Sequence, residues 1–306
     1  MTAQPALTRL EPGLRCLRAP NPSPMTEHGT NTYVIGEGNV AVIDPGPALP
    51  AHYDALLAAL SPGERITHIF VTHSHLDHSP LARPLSQATG APVLAFGPHG
   101  AGRSDVMVRL AADGLAGGGE GADEDFAPEI ELADGEVIDG NGWRLQALHT
   151  PGHTSNHLAF AWGDALFTGD HVMGWASSLV SPPDGDLSAF MASCGRLASR
   201  SDRIYYPGHG APVDDPAARV AWLIAHRRGR EAQILEQLGP HPQSVSELTA
   251  TIYTDTPDSL RAAAERNVFA HLIDLAERNL AHPVGPLSST TCFTDQPREW
   301  EADAKM

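Results

Sequence analysis

The sequence predicts an α+β chain in which helices cover the outer faces of sheets, followed by a helical module. Two observations predict it. Strand signals give way to helical stretches in both halves of the region before residue 215, and beyond Asp215 the character turns to helix alone. The length, 306 residues, fits one large domain or two of unequal size with ample material for a core. No repeat of 20–50 residues is present, so a solenoid or propeller is excluded.

The elements read in order as follows. Residues 1–27 carry Pro5, Pro12, Pro20, Pro22 and Pro24 and are expected to be irregular, because proline cannot donate to a ladder. The stretches NTYVIG (Asn31–Gly36) and VAVIDPG (Val40–Gly46) read as a hairpin through Glu37-Gly38-Asn39. ALPAHYDALLAAL is helical, and ITHIFVT (Ile66–Thr72) is a buried strand. SPLARPLSQATG reads as a helix with Ser79 as N-cap and Pro80 at its first position, despite Pro84. APVLAF is a further strand. Residues 111–129 hold five glycines and read as a mobile surface insertion near the active face.

In the second half WRLQALHT (Trp143–Thr150), HLAFAW (His157–Trp162), DALFTGD (Asp164–Asp170) and IYYP (Ile204–Pro207) are strands. DLSAFMASCGRLAS is a helix capped by Asp186. Asp215-Pro216 opens a long helix to roughly Leu238. Ser244-Val245-Ser246-Glu247 is a capping box that starts a second, and Thr256-Pro257 opens a third. Pro283–Met306 is polar and expected to be frayed.

Composition narrows the function classes. The formal charge is −17, with a single lysine, Lys305. An acidic surface repels polyanions and disfavours nucleic acid as a partner. No apolar run reaches the roughly 18–20 residues of a membrane span. MTAQPALTRLEPG lacks the apolar core of a secretory signal. A cytoplasmic protein is therefore expected. Cys16, Cys194 and Cys292 form no CxxC pair, so neither a zinc ribbon nor a disulfide framework is indicated.

The informative stretch is THSHLDH (Thr72–His78), with three imidazoles and a carboxylate within six residues. It follows a strand. His73 and His75, two apart, can point the same way, while Asp77 and His78 can face a second point nearby. A catalytic metal usually takes three protein ligands and keeps a position for water. Candidates at matching places are His153 in HTPGHTS, Asp170 in FTGDH and His209 in YPGHG. Each follows a strand and stands beside glycine, which lets backbone crowd a ligand.

H-x-H-x-D-H followed by PGHT, TGD and PGHG resembles the metallo-β-lactamase superfamily, and GTNTYVIG and VIDPG are similar to its opening hairpin. The resemblance implies a four-layer αββα sandwich with the site along one edge of the two sheets. It implies that His73, His75 and His153 bind one metal, that Asp77, His78 and His209 bind another, and that Asp170 bridges them. A shared hydroxide would then be the nucleophile, activated by two cations. The all-N/O donor set favours zinc, with manganese or iron as the alternatives. Asp77 and Asp170 are candidate catalytic groups. So is His171, which could orient the bridge or donate a proton. His149 and His157 are read as supporting the His153 loop, and Asp44 as bracing the ligand loop.

The tail sharpens the resemblance. HRRGREAQIL, VSELTATIYTDTP and AAERNVFAHLIDLAERNLA are similar to the winged-helix end of the β-lactamase-like protein 2 family. This implies a catalytic domain over residues 1–215, a winged-helix-like module over 216–283 and a polar tail over 284–306. Flavodiiron oxygen reductases carry glutamate where His75 stands, which argues against oxygen chemistry. Some β-lactamase-like protein 2 relatives cleave single-stranded RNA. Here, however, residues 216–283 carry seven arginines and no lysine against eight carboxylates, whereas nucleic-acid modules are usually basic. The expectation is a dinuclear metal-dependent hydrolase of a small ester, thioester or lactone. The alternatives are a metal-dependent single-strand RNA endonuclease and a non-enzymatic regulator. The module is read as one wall of the active-site groove.

Overall fold

A strand buried on both faces sends alternate side chains into two different cores, and that alternation defines the layers here. In β3 (Asn31–Ile35) Tyr33 and Ile35 enter one core and Val34 another. In β4 (Asn39–Ile43) Ala41 and Ile43 part in the same way from Val40 and Val42. β10 (Leu158–Trp162) and β11 (Ala165–Gly169) share the first core through Phe160 and Phe167 and turn Ala159 and Leu166 to a third. One core thus lies between two sheets, and each sheet has a second core on its outer face. That is a four-layer αββα sandwich.

The computed structural model describes residues 7–118 and 121–297. The first sheet has seven strands in chain order: β1 (Leu7–Glu11), β2 (Leu14–Arg18), β3, β4, β5 (Arg65–Phe70), β6 (Val93–Ala95) and β7 (Ile130–Glu131). It is antiparallel as far as β4 and parallel from there on. α1 (Pro50–Ala58) and α2 (Ala82–Thr89) cover its outer face through Leu56 and Leu85. α3 (Asp105–Ala112) follows β6. The second sheet runs β12 (Ile204–Pro207), β11, β10, β9 (Arg144–His149) and β8 (Val137–Asp139). α4 (Leu187–Ala198) and α5 (Pro216–Gln237) cover it through Phe190, Leu197, Val220 and Leu223.

The caps read from the sequence are present. Asp186 accepts from the Ala189 N–H and Asp215 from the Ala218 N–H. Ser244 and Glu247 form the reciprocal capping box that opens α6 (Val245–Ile252). A short 3₁₀ turn, Asp258–Leu260, precedes α7 (Arg261–Glu277). α5, α6 and α7 bury Ile234, Leu248, Val268 and Leu272 together, and α3 adds Met107 and Leu110 to the same core. Among the described residues no helix is long and apolar enough to cross a membrane.

Four expectations are corrected. Residues 7–18 are a hairpin, not irregular chain: Pro12 and Gly13 make its turn, with Gly13 at φ +74, so the proline lies outside the ladder. α2 starts at Ala82 rather than Pro80. A helix begun at Pro80 would put Pro84, which has no N–H and crowds the carbonyl four residues back, in its interior; starting at Ala82 leaves Pro84 in the first turn. The end is not frayed from Pro283. β15 (Cys292–Thr294) pairs with both β14 (His282–Val284) and β13 (Gln243–Ser244), and Phe293 is fully buried in the module core. The described residues of the 111–129 insertion are tied to the fold on both sides of 119–120. Ala122 bridges His75, the Asp123 N–H donates to the Ser74 carbonyl, and Arg266 donates to the Ala116 carbonyl. Residues 1–6, 119–120 and 298–306, with parts of the N-terminal, insertion and tail readings, lie outside the described residues.

Candidate metal centre

The cluster stands where the strands of both sheets end. The segment after β5 brings His73, His75, Asp77 and His78. The segment after β9 brings His153, β11 delivers Asp170, and β12 delivers His209. Three groups of ligand atoms result, each within 4.8 Å: His73, His75 and His153; Asp77, His78 and His209; and His73, His78 and Asp170. All seven residues predicted as ligands meet there, and each is at most 7% exposed.

Outer contacts aim the imidazoles. His78 Nδ1 lies 2.9 Å from Asp44 Oδ2, and His153 Nδ1 lies 2.7 Å from the Leu179 carbonyl. His209 Nδ1 faces the Gly29 carbonyl at 3.3 Å, and His73 Nδ1 meets Thr72 Oγ1 at 2.9 Å. Nδ1 is therefore the donor in each case, and Nε2 is turned inward. Inside, His73 Nε2 and His153 Nε2 lie 3.0 and 3.1 Å from His75 Nδ1, and His78 Nε2 lies 3.3 Å from His209 Nε2. Lone pairs this close repel unless a proton or a cation stands between them.

The carboxylates complete the set. Asp77 Oδ2 is 3.1 Å from His209 Nε2 and 3.3 Å from His78 Nε2, and it accepts from Thr30 Oγ1. Asp170 Oδ2 lies 3.2 Å from His209 Nε2 and 3.7 Å from His153 Nε2. Among the described residues the Oδ1 atoms of both aspartates are buried without a hydrogen-bond partner, Asp170 Oδ1 having only His78 Nε2 at 3.5 Å, which is costly unless something else pairs with them.

Two electrostatic environments share this space. Burial, then the neighbouring imidazoles, holds His73 well below its ordinary value. Burial pushes His75 down to about 3, with His153 adding to the effect. Burial also lowers His153. These three are neutral near pH 7 and able to ligate. Burial opposes charge on His209 too, but Asp170 and Asp77 outweigh it and hold that ring up to about 10. His78 is likewise raised by Asp77, Asp170 and Asp44 against its burial. Burial would raise Asp77 and Asp170, but the adjacent imidazoles keep both carboxyls below the usual range.

Glycine makes this density feasible at two points. A Cβ on Gly208 would lie 2.3 Å from Asp170 Oδ1, and one on Gly169, at φ +47, would lie 2.6 Å from His157 Nε2. The supporting residues behave as the sequence suggested. Asp44 accepts from the Thr72 N–H at 2.7 Å and from Thr72 Oγ1 at 2.8 Å. His157 takes the Asp170 N–H at 3.2 Å, and His149 stacks on Phe96 and faces the Ser155 carbonyl.

His171 sits differently from its expected role. Its ring lies against Phe190, and Nε2 faces the Cys194 thiol at 3.6 Å. Nδ1 is buried without a partner, and burial lowers the ring to about 3. Among the described residues no hydrogen bond joins it to Asp170. The cause is local: β11 ends at Gly169, and the chain turns so that Asp170 faces the cluster and His171 faces the core under α4.

Beside the cluster lies a cavity of about 250 Å³ with His75, His153 and Asp170 at its base. Its walls include Met173, Trp175 and Leu179 from the sandwich and Tyr253, Leu260 and Ala264 from the helical module. Among the described residues no lysine or arginine lines it. Sequence reasoning did not find these wall residues, which lie on segments remote from one another in the chain with no periodicity to link them. Only the nearness of Trp175 to Asp170 in the chain hinted at one.

The family model for the metallo-beta-lactamase superfamily matches residues 25–209, and that for the beta-lactamase associated winged helix domain matches residues 244–285. A Drosophila melanogaster protein named Beta-lactamase-like protein 2 homolog is 30% identical over 90% of this chain and 91% of its own length. An atrochrysone carboxyl ACP thioesterase from a Cryptosporiopsis species is 29% identical over 78% of this chain and 71% of that protein. The crystal structure of a metallo-beta-lactamase family protein from Thermus thermophilus matches with a TM-score of 0.75 at 27% identity, covering 94% of this chain and all of that one.

Proposed function

The chain belongs to the metallo-β-lactamase superfamily as a metal-dependent hydrolase, and on that premise we propose that it cleaves a small thioester, ester or lactone at a dinuclear centre. His73, His75 and His153 would hold one divalent ion and Asp77, His78 and His209 the other, with Asp170 between them. Inward ring nitrogens crowded within one ion's reach and two buried carboxylate oxygens with no hydrogen-bond partner among the described residues support that fit. The N/O donor set favours zinc, with manganese and iron as alternatives. Held there, such a pair of ions would supply a hydroxide nucleophile at neutral pH.

The chain's own residues do the rest. Asp44, Thr72 and the Leu179 carbonyl hold the imidazoles in one tautomer. Asp77 and Asp170 offset the positive charge of the centre and orient the attacking water. The cavity walls exclude bulk solvent from the carbonyl, which strengthens every charge interaction at the site. The observation that carries the substrate reading is the lining itself: the cavity meets the cluster and is apolar and free of cationic side chains. A thioesterase-named relative favours the thioester among the three.

An RNA endonuclease needs cations that track phosphates. Of Arg227, Arg228 and Arg230 on α5, Arg227 is buried against Ser178 and Asn267, Arg230 stacks over Tyr253 at 4.2 Å, and only Arg228 is exposed. A single exposed arginine does not make a track for a phosphate backbone, so the hydrolase of small molecules is preferred. The test is a substrate panel with metal-loaded protein. Turnover of a thioester or lactone without cleavage of single-stranded RNA is expected. Cleavage of RNA with no turnover across the panel overturns the proposal.

A further inference from the structure

The cavity is a joint product of two parts of the chain, and the helical module supplies the part that decides size. Leu260, Ala263 and Ala264 come from the start of α7 and the turn before it, and Tyr253 from the end of α6. Ala264 is almost wholly buried, so the wall there is helix backbone and methyl groups. Opposite stand Met25, Met173 and Leu179.

The wall is fixed in place. Asn267, one turn on from Ala263, accepts from Arg227 at 2.9 Å and from the Val180 N–H at 3.2 Å, and it donates to the Ala263 carbonyl. Its carbonyl oxygen thus takes two donors, and one of its two N–H groups is spent on the helix. Arg266 ties α7 to the Pro182 carbonyl at 3.0 Å. Tyr253 differs: its ring is clamped under Arg230, while among the described residues no hydrogen bond is made by its hydroxyl.

We propose that this wall is an acyl-selecting pocket: it takes a compact, uncharged, mainly apolar acyl group, whose size is set by Leu260 and Ala263 and for which the Tyr253 hydroxyl is a polar handle beside Ser177, Thr256 and Asn267. The inference rests on the hydrolase reading above and deepens it. An acyl group ending in a carboxylate or phosphate would be desolvated at the wall, away from the cluster, where among the described residues no lysine or arginine pairs it. An alkyl or aryl group replaces water on those same walls at a gain. The leaving group then lies outward, toward solvent.

The experiment uses the metal-loaded full chain, a series of thioesters differing in acyl length, and ω-carboxylated acyl groups of matched length. A non-hydrolysable thioether carrying the preferred acyl group gives a binding readout independent of turnover. The wild type is expected to favour apolar over carboxylated acyl groups by about tenfold or more in kcat/KM. Ala263→Leu is expected to shift the optimum to shorter acyl groups and Leu260→Ala to longer ones, each by about tenfold per misfit methylene or two. Tyr253→Phe is expected to weaken binding of an oxo-substituted acyl analogue while sparing the plain alkyl one. Opposite shifts in two folded variants cannot come from a general loss of stability.

Equal use of carboxylated and apolar groups, or an unchanged length profile in both size variants, overturns the inference while leaving the hydrolase reading intact. If no panel substrate turns over, the hydrolase reading fails instead. The thioether titration then decides this pocket alone: an apolar preference of about tenfold supports it, and no preference overturns it.

Discussion

His78 Nδ1 lies 2.9 Å from Asp44 Oδ2, and both residues are almost entirely buried. Asp44 also accepts from the backbone and hydroxyl of Thr72. One carboxylate therefore pins the ligand loop at its first residue and its last, and sets the tautomer of His78. Asp44 itself sits at φ +51, a region asparagine tolerates. Asp44→Asn is predicted to fold and to lose about 10–100-fold in metal affinity, measured by chelator competition. Undiminished affinity would reduce Asp44 to a backbone brace.

Metal loading is predicted to release protons. His209 is held up to about 10, and His78 is raised by the same carboxylates, so both carry a proton at pH 7 in the metal-free protein. A cation at the inward nitrogens must displace those protons, roughly two per chain. Affinity therefore weakens as pH falls. Calorimetric titration in two buffers of different ionisation enthalpy reads the number directly. Binding with no proton exchange would contradict the assignment of both rings as ligands.

Gly208→Ala is predicted to damage the centre without unfolding the sandwich. The added Cβ would stand 2.3 Å from Asp170 Oδ1 and 2.7 Å from His78 Cε1, so the aspartate must move. A loss of about tenfold or more in metal affinity is expected, with a native circular dichroism spectrum. Full metal content and turnover in this variant would show that Asp170 has room to spare.

Arg227→Leu is predicted to loosen the helical module from the sandwich. The guanidinium donates to the Ser178 carbonyl and to Asn267 Oδ1, and it lies 5.2 Å from the Phe190 ring. Its loss takes the recorded donor from the buried Ser178 carbonyl, while Asn267 Oδ1 keeps the Val180 N–H, a cost of about 1–3 kcal/mol. Urea unfolding measures it. A change below about 0.5 kcal/mol, the scale of an ordinary surface substitution, would contradict the anchoring role.

The ligand set was legible because its chemistry is local: four members crowd into six residues after one strand, and His153, Asp170 and His209 each follow a strand and stand beside glycine. The caps Asp186, Asp215 and Ser244 were legible for the same reason, since a cap depends on three or four consecutive residues. The hairpin at residues 7–18 was hidden because Pro12 was weighed as a breaker when it occupies the turn. The wing strands were hidden by their length: Cys292–Thr294 has only three residues, and its place is decided by Phe293 reaching a core built by remote helices. The side chain of His171 was unreadable because neighbours in sequence can face opposite ways, and only Phe190 and Cys194 in α4 show which way it went. The cavity wall was least legible of all, since Met25, Trp175 and Leu260 meet solely through tertiary packing.

Two cations sharing one cluster underlie the proposed chemistry, and equilibrium metal stoichiometry tests that most directly. Metal-free protein titrated with zinc or manganese, with the bound metal counted per chain, is predicted to reach two equivalents, and His75→Ala one or fewer. Saturation of the unaltered chain at a single equivalent, or at none, would contradict it.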